Sequence, residues 1–308
     1  MKRVFPILAV LTGVLLGYAL YQALVAAPTE QTMGPVQRIF YYHVPSAWTA
    51  FLLFFVNFLA SLQYLATANP SAKRVINWVV IAIAVVGAVA PYIPQVQKQL
   101  PEGLYPSSVA TTAVMIAVLY FLVGKFFIER SLDVLAVTAA EVGVIFCSIV
   151  LVTGPLWARP VWGIWWTWDL RLTLTLVLWL IYVSYLVLRR FSDSAQTPKL
   201  AAVLAIFGAL DVPLVYFSIW FFRTQHPQPV IGGGGSIDPR MLHILLMNWL
   251  AFSCFAFLVC WLRYRLEIMQ RDLHEAQALE ALLGDGLPPS SARTGSPINR
   301  TPSGTGTA

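Results

Sequence analysis

Long apolar runs constrain this chain more than any other feature, because about 20 apolar residues in a row cross a bilayer as one helix. The 308-residue sequence contains eight such runs and is 58% hydrophobic but only 11% charged, whereas soluble domains carry about 25% charged residues. Backbone groups in lipid must satisfy one another, which favours helices. The sequence therefore predicts an all-α, polytopic transmembrane bundle with spans near 4–27, 45–67, 75–93, 107–128, 132–153, 170–188, 200–222 and 241–262.

The first run resembles a signal peptide, since it follows Lys2 and Arg3. It is long enough to span, however, and Pro28 would follow the cut at its end, so we interpret it as a retained first helix. The formal charge of +6 lies in short loops between apolar runs, which indicates membrane orientation rather than a nucleic-acid partner. The three cysteines lie inside apolar runs without a CxxC pair, which supports neither a disulfide framework nor a zinc site.

The distribution of lysine and arginine predicts the orientation of the bundle. With eight spans both termini lie on one side, and that side carries twelve basic residues before the tail against six on the other. By the positive-inside tendency, the termini are cytoplasmic. The six outer residues are Arg38, Lys98, Arg159, Arg171, Arg223 and Arg240.

Composition predicts three segments. Residues 1–262 form the transmembrane domain, and residues 263–283 continue as a charged, helical cytoplasmic extension. The remainder, 284–308, is rich in Pro, Ser, Gly and Thr and is predicted to be a disordered cytoplasmic tail.

The segment from Trp162 to Asp169 places four tryptophans in seven positions, the others being Trp165, Trp166 and Trp168. An interfacial aromatic belt explains one or two rings at a helix end, but not this density. If the segment is helical, the first three rings share a broad apolar face, which suits a large, flat ligand. Asp169 reads as the N-cap of the next span, alone or combined with ligand contact.

Two of the four histidines fall on the predicted outer face. His43 precedes Pro45, which suits the first turn of span two, so we expect His43 just outside that helix. His226 follows span seven. Each alone reads as an interfacial polar residue, but together they form a reasonable axial pair for a haem iron. We interpret His243 as a histidine that is hydrogen-bonded to a neighbouring helix, and His274 as a solvated surface residue.

Other charged residues allow a structural or a functional interpretation. Outer arginines such as Arg38, Arg159 and Arg171 either extend to the interface or pair with haem propionates. Glu141 and Asp211 lie at membrane depth, either as neutral acids that hold helices together or as groups on a substrate path.

The stretch Gly154-Pro-Leu-Trp-Ala-Arg-Pro-Val-Trp-Gly-Ile-Trp-Trp-Thr-Trp-Asp-Leu-Arg-Leu-Thr173 resembles the tryptophan-rich signature, or WWxWD motif, of the haem-handling proteins of cytochrome c biogenesis. In detail it is similar to the haem-delivery proteins of the cytochrome c maturation system, the CcmC type. Supporting matches are Tyr42-His-Val-Pro-Ser-Ala-Trp48, Ala140-Glu-Val-Gly143, Asp211-Val-Pro213 and Ser218 through His226. The resemblance covers roughly 30–67 and 130–262.

This resemblance implies a haem transport protein of the cytoplasmic (inner) membrane, with haem b as cargo at the outer, periplasmic face and no enzymatic role. Carried over residue by residue, His43 and His226 are the axial iron ligands. The implied partners are a one-span periplasmic haem chaperone, an ABC-type haem-release complex with small membrane subunits, and membrane lipid. The remaining predicted cofactor-binding residues are Trp162, Trp165, Trp166, Trp168, Asp169, Arg38, Arg159 and Arg171.

The sequence departs from the CcmC type, which usually has six spans, because 75–128 adds about two. Eight spans is closer to the related protein of the other cytochrome c synthesis system, which is expected to hold haem on histidines inside the bundle; only His243 approximates one. Phe221-Phe222 stand where the CcmC type often has two tryptophans. Three alternatives therefore stay open: the subunit of that other system, a solute or ion transporter using Glu141 and Asp211, and a cofactor-free scaffold docked by the tryptophan loop.

Overall fold

A computed structural model describes residues 4–100, 105–192, 194–222, 224–227 and 237–284. Eight of the helices in these ranges are long and apolar enough to cross a membrane, which confirms the predicted all-α, polytopic bundle. The predicted tail and Arg223 lie outside the described residues, apart from Gly284. The helices are α1 (Val4–Tyr21), α2 (Phe40–Ala68), α3 (Pro70–Val89), α4 (Pro94–Gln97), α5 (Pro106–Phe126), α6 (Glu129–Trp162), α7 (Leu170–Phe191), α8 (Thr197–Phe221) and α9 (Pro239–Gly284).

The chain divides into two compact units at the boundary between Arg265 and Leu266. In the first unit, α2 packs most extensively against α6, and α7 packs against α8, which also contacts α2. Helices α3 and α5, the additional pair, pack mainly against each other. The described part of the second unit is the end of α9, where Arg271 pairs with Glu267 one turn earlier at 3.0 Å. That this segment is cytoplasmic stays a prediction.

Two helix boundaries differ from the sequence-based expectation, and prolines lie near both of them. A 3-10 turn from Pro35 to Ile39 leads directly into α2, so Pro45 lies inside the helix. The prediction that His43 sits just outside the helix is therefore wrong. A proline removes only one N–H donor, and membrane helices accommodate this loss. His43 is thus fixed by regular helix rather than by a loop.

Helix α6 continues to Trp162, nine residues beyond the predicted end at 153, with Pro155 and Pro160 inside it. It stops at Gly163, whose φ of 81° lies in the left-handed region that favours glycine and ends many helices. The segment after Gly163 is not helical as far as Asp169. The shared face of Trp162, Trp165 and Trp166 was predicted on the condition that the segment is helical. Because α6 ends at Trp162, Trp165 and Trp166 do not share that face.

The centre of the bundle is an aromatic stack between α2 and α7. The rings of Phe54 and Tyr182 lie parallel with centroids 3.8 Å apart, and both side chains are fully buried. Helix α6 approaches this stack through Gly143, where a Cβ atom would lie 2.7 Å from Cε1 of Phe54. Glycine is therefore required there by close approach rather than by backbone conformation.

We expect Gly143→Ala to destabilise the protein by about 1–3 kcal/mol, the usual cost of forcing an extra group into a packed core. The control is Gly17→Ala in α1, because a Cβ atom there meets nothing within 4 Å. Thermal melts of both variants in detergent measure the difference. A Gly143→Ala melt equal to that of the control would contradict this account of the α2–α6 contact.

Two bidentate ion pairs link α6 to other helices, one through Glu141, whose role the sequence left open, and one through Asp133, which the sequence analysis did not single out. Glu141 of α6 accepts from Arg263 of α9 at 2.7 and 2.8 Å. Asp133 of α6 accepts from Arg189 of α7 at 2.7 Å through both carboxylate oxygens. Arginine forks match carboxylates in this geometry. Glu141 thus joins α6 to α9 through its contact with Arg263.

Candidate functional site

A cavity of about 650 Å³ opens among α2, α6, α7, α8 and the segment that follows α8. This volume lies within the usual range of cofactor and small-molecule sites. Helix α2 lines it with a stripe at helical spacing that includes His43, Ala47 and Phe51, and α6 lines it down to Cys147. Because these side chains are mostly apolar, the cavity suits a large hydrophobic ligand whose few polar groups meet specific partners.

Tryptophans form one wall of the cavity. Trp157, Trp162 and Trp166 line it, and Trp157 and Trp162 meet edge to face with centroids 5.1 Å apart. The other two predicted tryptophans do not line the cavity: Trp165 is 57% exposed and Trp168 is 75% exposed. The left-handed turn at Gly163 ends the helix between Trp162 and Trp165, and beyond it Trp166 lines the cavity whereas Trp165 and Trp168 do not.

Asp169 does not line the cavity but begins α7. Its Oδ1 accepts the backbone N–H of Leu172 at 3.0 Å, so the predicted N-cap is observed. Its Oδ2 accepts from the hydroxyl of Thr224 at 2.9 Å and from that of Thr167 at 3.3 Å. The carboxylate therefore joins the tryptophan segment, the start of α7 and the segment that carries His226.

The two predicted histidine ligands line the same cavity, although 183 positions separate them in sequence. His43 projects from α2, and its Nδ1 lies 2.9 Å from the hydroxyl of Thr153 on α6. His226 follows α8, and its Nδ1 lies 2.8 Å from the carbonyl oxygen of Pro227. In each ring, one nitrogen contacts the protein and the other remains for a ligand.

The electrostatics around His226 favour the neutral ring that ligates metals. Its burial and the positive charge of Arg171 lower the pKa of His226 from 6.5 to about 3, with a smaller contribution from His43. The hydrogen bond to Pro227 opposes this shift. His226 is therefore neutral at physiological pH, with a nitrogen lone pair available for coordination.

Two polar side chains in the cavity wall have buried donors without a hydrogen-bond partner among the described residues. These donors are Nη1 of Arg171, in the first turn of α7, and Nε1 of Trp166. A buried cation and a buried N–H without partners are costly. An anionic group of a bound ligand would supply the missing acceptors, so the cavity has a cationic side within an otherwise apolar lining.

The other predicted arginines serve neighbouring backbone groups and do not line the cavity. Arg38 donates to the carbonyl of Leu24, and Arg159 donates to the carbonyl of Gly163 at the end of α6. Arg159 therefore helps to terminate the helix that bears the tryptophans. Only Arg171, of the three arginines predicted to bind a cofactor, lies in the cavity wall.

Two carboxylates at the cavity wall were not predicted from the sequence. Glu30 accepts the backbone N–H groups of Thr32 and Met33, which lower the pKa of Glu30. Asp238 accepts from Arg240, whose hydrogen bonds lower the pKa of Asp238. Both acids are therefore ionised and locally paired, and the description of the site from sequence alone understated its negative charge.

Groups proposed for other functions lie elsewhere. His243 and His274 are exposed and do not line the cavity. Asp211 is buried on α8 and likewise does not line it; its Oδ2 has no hydrogen-bond partner among the described residues. Within the described part of the chain, no three His, Cys, Asp or Glu side chains cluster as a metal site. His43 and His226 therefore belong to no cluster of three such side chains, among the described residues, that could hold a bare metal ion.

Sequence reasoning missed several wall residues that helical spacing would have indicated. Val44, Ala47, Trp48 and Phe51 follow His43 along one face of α2 and line the cavity. Regular helix from before His43 through Pro45 creates this face, which the expectation that the helix began at Pro45 did not include. Trp48 also packs edge to face against Trp249 of α9 at 5.4 Å, which ties the cavity wall to that helix.

Comparison with known proteins assigns a family. The family described as "Heme exporter protein C" matches residues 105–279, which run from the start of α5 into the end of α9. Heme exporter protein C of Bradyrhizobium diazoefficiens is 30% identical over 282 residues, covering 91% of this chain and 84% of that protein. A putative cytochrome c biosynthesis ccmC-like mitochondrial protein of Marchantia polymorpha is 27% identical over 241 residues, covering 78% of this chain and 76% of that protein.

A shorter match carries a higher identity. Heme exporter protein C of Escherichia coli K12 is 34% identical over 154 residues, covering 49% of this chain and 62% of that protein. The family match includes α6, the tryptophan segment, α7 and the segment bearing His226, which together supply nearly half of the cavity wall. On the extent of these matches, this chain belongs to the heme exporter protein C family.

Proposed function

We propose that this protein binds haem in the tryptophan-walled cavity and ligates its iron through His43 and His226. The observation that carries the proposal is that two histidines from distant segments line one cavity, each with one ring nitrogen already bonded to the protein. Two neutral imidazoles are a common axial pair for haem iron. The names of the relatives, which are haem exporters, support the same ligand class.

The remaining wall fits the rest of a porphyrin. Trp157, Trp162 and Trp166 offer ring faces and edges to a flat aromatic macrocycle. The apolar interior from Ala47 to Cys147 accommodates its hydrophobic edge. Arg171 and the N–H of Trp166 are placed to pair with the propionate carboxylates, since their donors are buried without partners in the described part of the chain.

Haem is cargo in this proposal, and side-chain catalysis has no part in it. We propose that the cavity faces the periplasm and both termini face the cytoplasm, in line with the twelve-to-six bias of basic residues. The bound haem, which we infer to be haem b, passes to a one-span periplasmic haem chaperone for cytochrome c maturation. An ABC-type complex with small membrane subunits then releases the loaded chaperone. The exposed Trp165 and Trp168, beside the cavity in sequence, are available to contact that chaperone.

Filling the cavity tests whether this is the haem site. Ala47 lies one helical turn after His43 on the same lining face, so Ala47→Trp places an indole beneath the imidazole. We expect the purified Ala47→Trp protein, expressed with haem supply, to lose most of its Soret absorbance per protein. Ala47→Ser is the matched control and is expected to retain it.

Thermal melts of both Ala47 variants separate blocked binding from misfolding. A folded Ala47→Trp protein that retains the haem content and spectrum of the wild type would contradict the proposed site. A wild-type protein that retains no haem above a detergent blank would contradict the proposed function as a whole.

A further inference from the structure

The hydrogen bonds of Thr153 determine which nitrogen of His43 carries a proton. Its hydroxyl oxygen lies 2.6 Å from the carbonyl oxygen of Ile149 and 2.9 Å from Nδ1 of His43. A hydroxyl has one proton to donate, and a carbonyl only accepts. The proton of Thr153 therefore goes to Ile149, and Nδ1 of His43 must donate to the threonine oxygen. The neutral ring then carries its lone pair on Nε2.

His226 reaches the same tautomer by a different contact. Its Nδ1 lies 2.8 Å from the carbonyl oxygen of Pro227, which accepts, so Nδ1 is again the donor and Nε2 again holds the lone pair. Its backbone N–H donates to the hydroxyl oxygen of Thr224 at 3.1 Å. That hydroxyl donates in turn to Oδ2 of Asp169 at 2.9 Å. The segment bearing His226 is thus fastened to the start of α7.

Asp169 connects the hydrogen bonds that hold the His226 segment to the cationic side of the cavity. Through Oδ1 the same carboxylate caps α7, whose first turn carries Arg171. One side chain therefore sets both the position of His226 and the start of the helix that presents Arg171. A partner that accepts the ring N–H, as Thr153 does for His43, fixes the orientation of the imidazole and raises its basicity. Asp169 instead fixes the position of the backbone that carries His226.

We propose that Thr153, Thr224 and Asp169 are positioning residues that hold His43 and His226 with Nε2 available to the iron. The inference rests on the proposed function, because it concerns how the same two ligands are presented. Thr153 acts on the ring of His43 alone, whereas Thr224 and Asp169 act on the backbone that carries His226. The two ligands consequently depend on separate, independently removable contacts.

The first test compares Thr153→Val, which keeps the shape but removes the hydroxyl, with Thr153→Ser, which keeps the hydroxyl. Loss of such a partner typically lowers metal affinity by about 10- to 100-fold, and we expect Thr153→Val to lower haem affinity within that range. Thr153→Ser restores wild-type affinity. Thr138→Val is the matched control, because Thr138 lies on the same helix and bonds the carbonyl four residues earlier but contacts no histidine.

A readout on the haem-free protein isolates the tautomer from haem binding. Nitrogen-15 NMR of labelled histidine, assigned by comparison with His43→Gln, reports whether Nδ1 or Nε2 of His43 is protonated. We expect protonated Nδ1 in the wild type and Thr153→Ser, and a mixture of tautomers in Thr153→Val. A protonated Nε2 in the wild-type ring, or no change in Thr153→Val, overturns the assignment.

Coupling between substitutions separates positioning from general destabilisation. We expect Thr153→Val to have no further effect on haem affinity in a His43→Ala background, and Thr224→Val to have none in a His226→Ala background. Thr224→Ser and each cross-combination, such as Thr153→Val with His226→Ala, are the controls. Additive losses in both matched pairs would show a structural role only and overturn the proposal.

The failures of the two proposals are distinguishable. If neither histidine variant loses haem, the proposed function fails, whatever the threonine variants do. If the histidine variants lose haem but Thr153→Val and Thr224→Val bind it with wild-type affinity and spectrum, the ligands are correct and the positioning inference fails.

Discussion

A protein in which both His43 and His226 are alanine is expected to retain almost none of the haem that copurifies with the wild type. Disturbing the orientation of a ligating histidine already costs about 10- to 100-fold in metal affinity, so removing both ligands should exceed that range. The tryptophan wall and Arg171 remain in this variant and still attract a porphyrin weakly. Absorbance and pyridine haemochrome content per protein measure the loss.

The single variants should differ from the double variant in the spectrum of the haem that they retain. Each leaves one imidazole, so the spectrum of the retained haem changes from that of a six-coordinate, bis-histidine iron to that of a five-coordinate one. Added imidazole should restore the six-coordinate spectrum in His43→Gly, because removing the side chain leaves space beside Gly154. A Cβ atom added at Gly154 would lie 3.5 Å from Cε1 of the His43 ring.

The chain contains its own controls for this experiment. His243→Ala and His274→Ala remove exposed histidines that do not line the cavity, and both variants should bind haem as the wild type does. If His243→Ala alone removed the bis-histidine spectrum, the iron site would lie outside this cavity. A site at His243 is what the resemblance to the other cytochrome c synthesis system implies. A His43, His226 double variant with undiminished haem would exclude this cavity as the iron site.

The spans were predictable because lipid leaves the backbone little choice. Each apolar run of sufficient length had to become a helix, and the eight runs correspond to the eight candidate spans. The ends were less predictable, since they depend on single residues. Pro45 lies inside a helix that begins before it, while Gly163 stops α6 nine residues after the apolar run was expected to end.

The site was predictable as a set of side chains on one face but not as a geometry. His43, His226, Trp162, Trp166 and Arg171 all line the cavity, as expected for residues that topology places at the same end of the bundle. Counting the spans assigns each loop to one face of the membrane, but it gives no distances between residues on that face.

The hydrogen-bond partners of the histidines could not be predicted from the sequence, because they depend on tertiary geometry. The hydrogen bond between His43 and Thr153 joins residues 110 positions apart, and neither α2 nor α6 alone indicates it. Gly163 likewise ends α6 through one backbone conformation, and in the non-helical segment after it Trp166 lines the wall while Trp165 and Trp168 are exposed. The tryptophan count was informative, whereas the role of each ring required the structure.

Replacing Arg171 by leucine is expected to weaken haem binding by roughly tenfold to a hundredfold. Hydrogen bonds to charged groups contribute about 1.5–3 kcal/mol, and each 1.4 kcal/mol changes Kd about tenfold. Arg171 has a buried donor without a partner among the described residues, so in our proposal its charge meets a propionate. Trp166→Phe, which keeps an aromatic ring but removes the N–H together with the rest of the five-membered ring, should cause a smaller loss.

Esterified haem distinguishes a propionate contact from a packing effect. Haem dimethyl ester has no carboxylate, so Arg171→Leu should leave its affinity nearly unchanged while the affinity for haem falls. The wild type should prefer haem over the ester by a factor similar to the one that Arg171→Leu loses. Arg190→Leu, an exposed arginine at the opposite end of the same helix, should change neither affinity.

The outcome for the ester decides what Arg171 does in the site. An equal loss of affinity for haem and for its ester would mean that Arg171 supports the wall by burial alone, because no carboxylate is involved in the second case. A loss confined to haem, with the bis-histidine spectrum preserved, would assign the cationic side of the cavity to the propionates. The iron ligands would then fix the centre of the porphyrin while Arg171 fixes its rotation, so that the hydrophobic edge enters the apolar interior between α2 and α6.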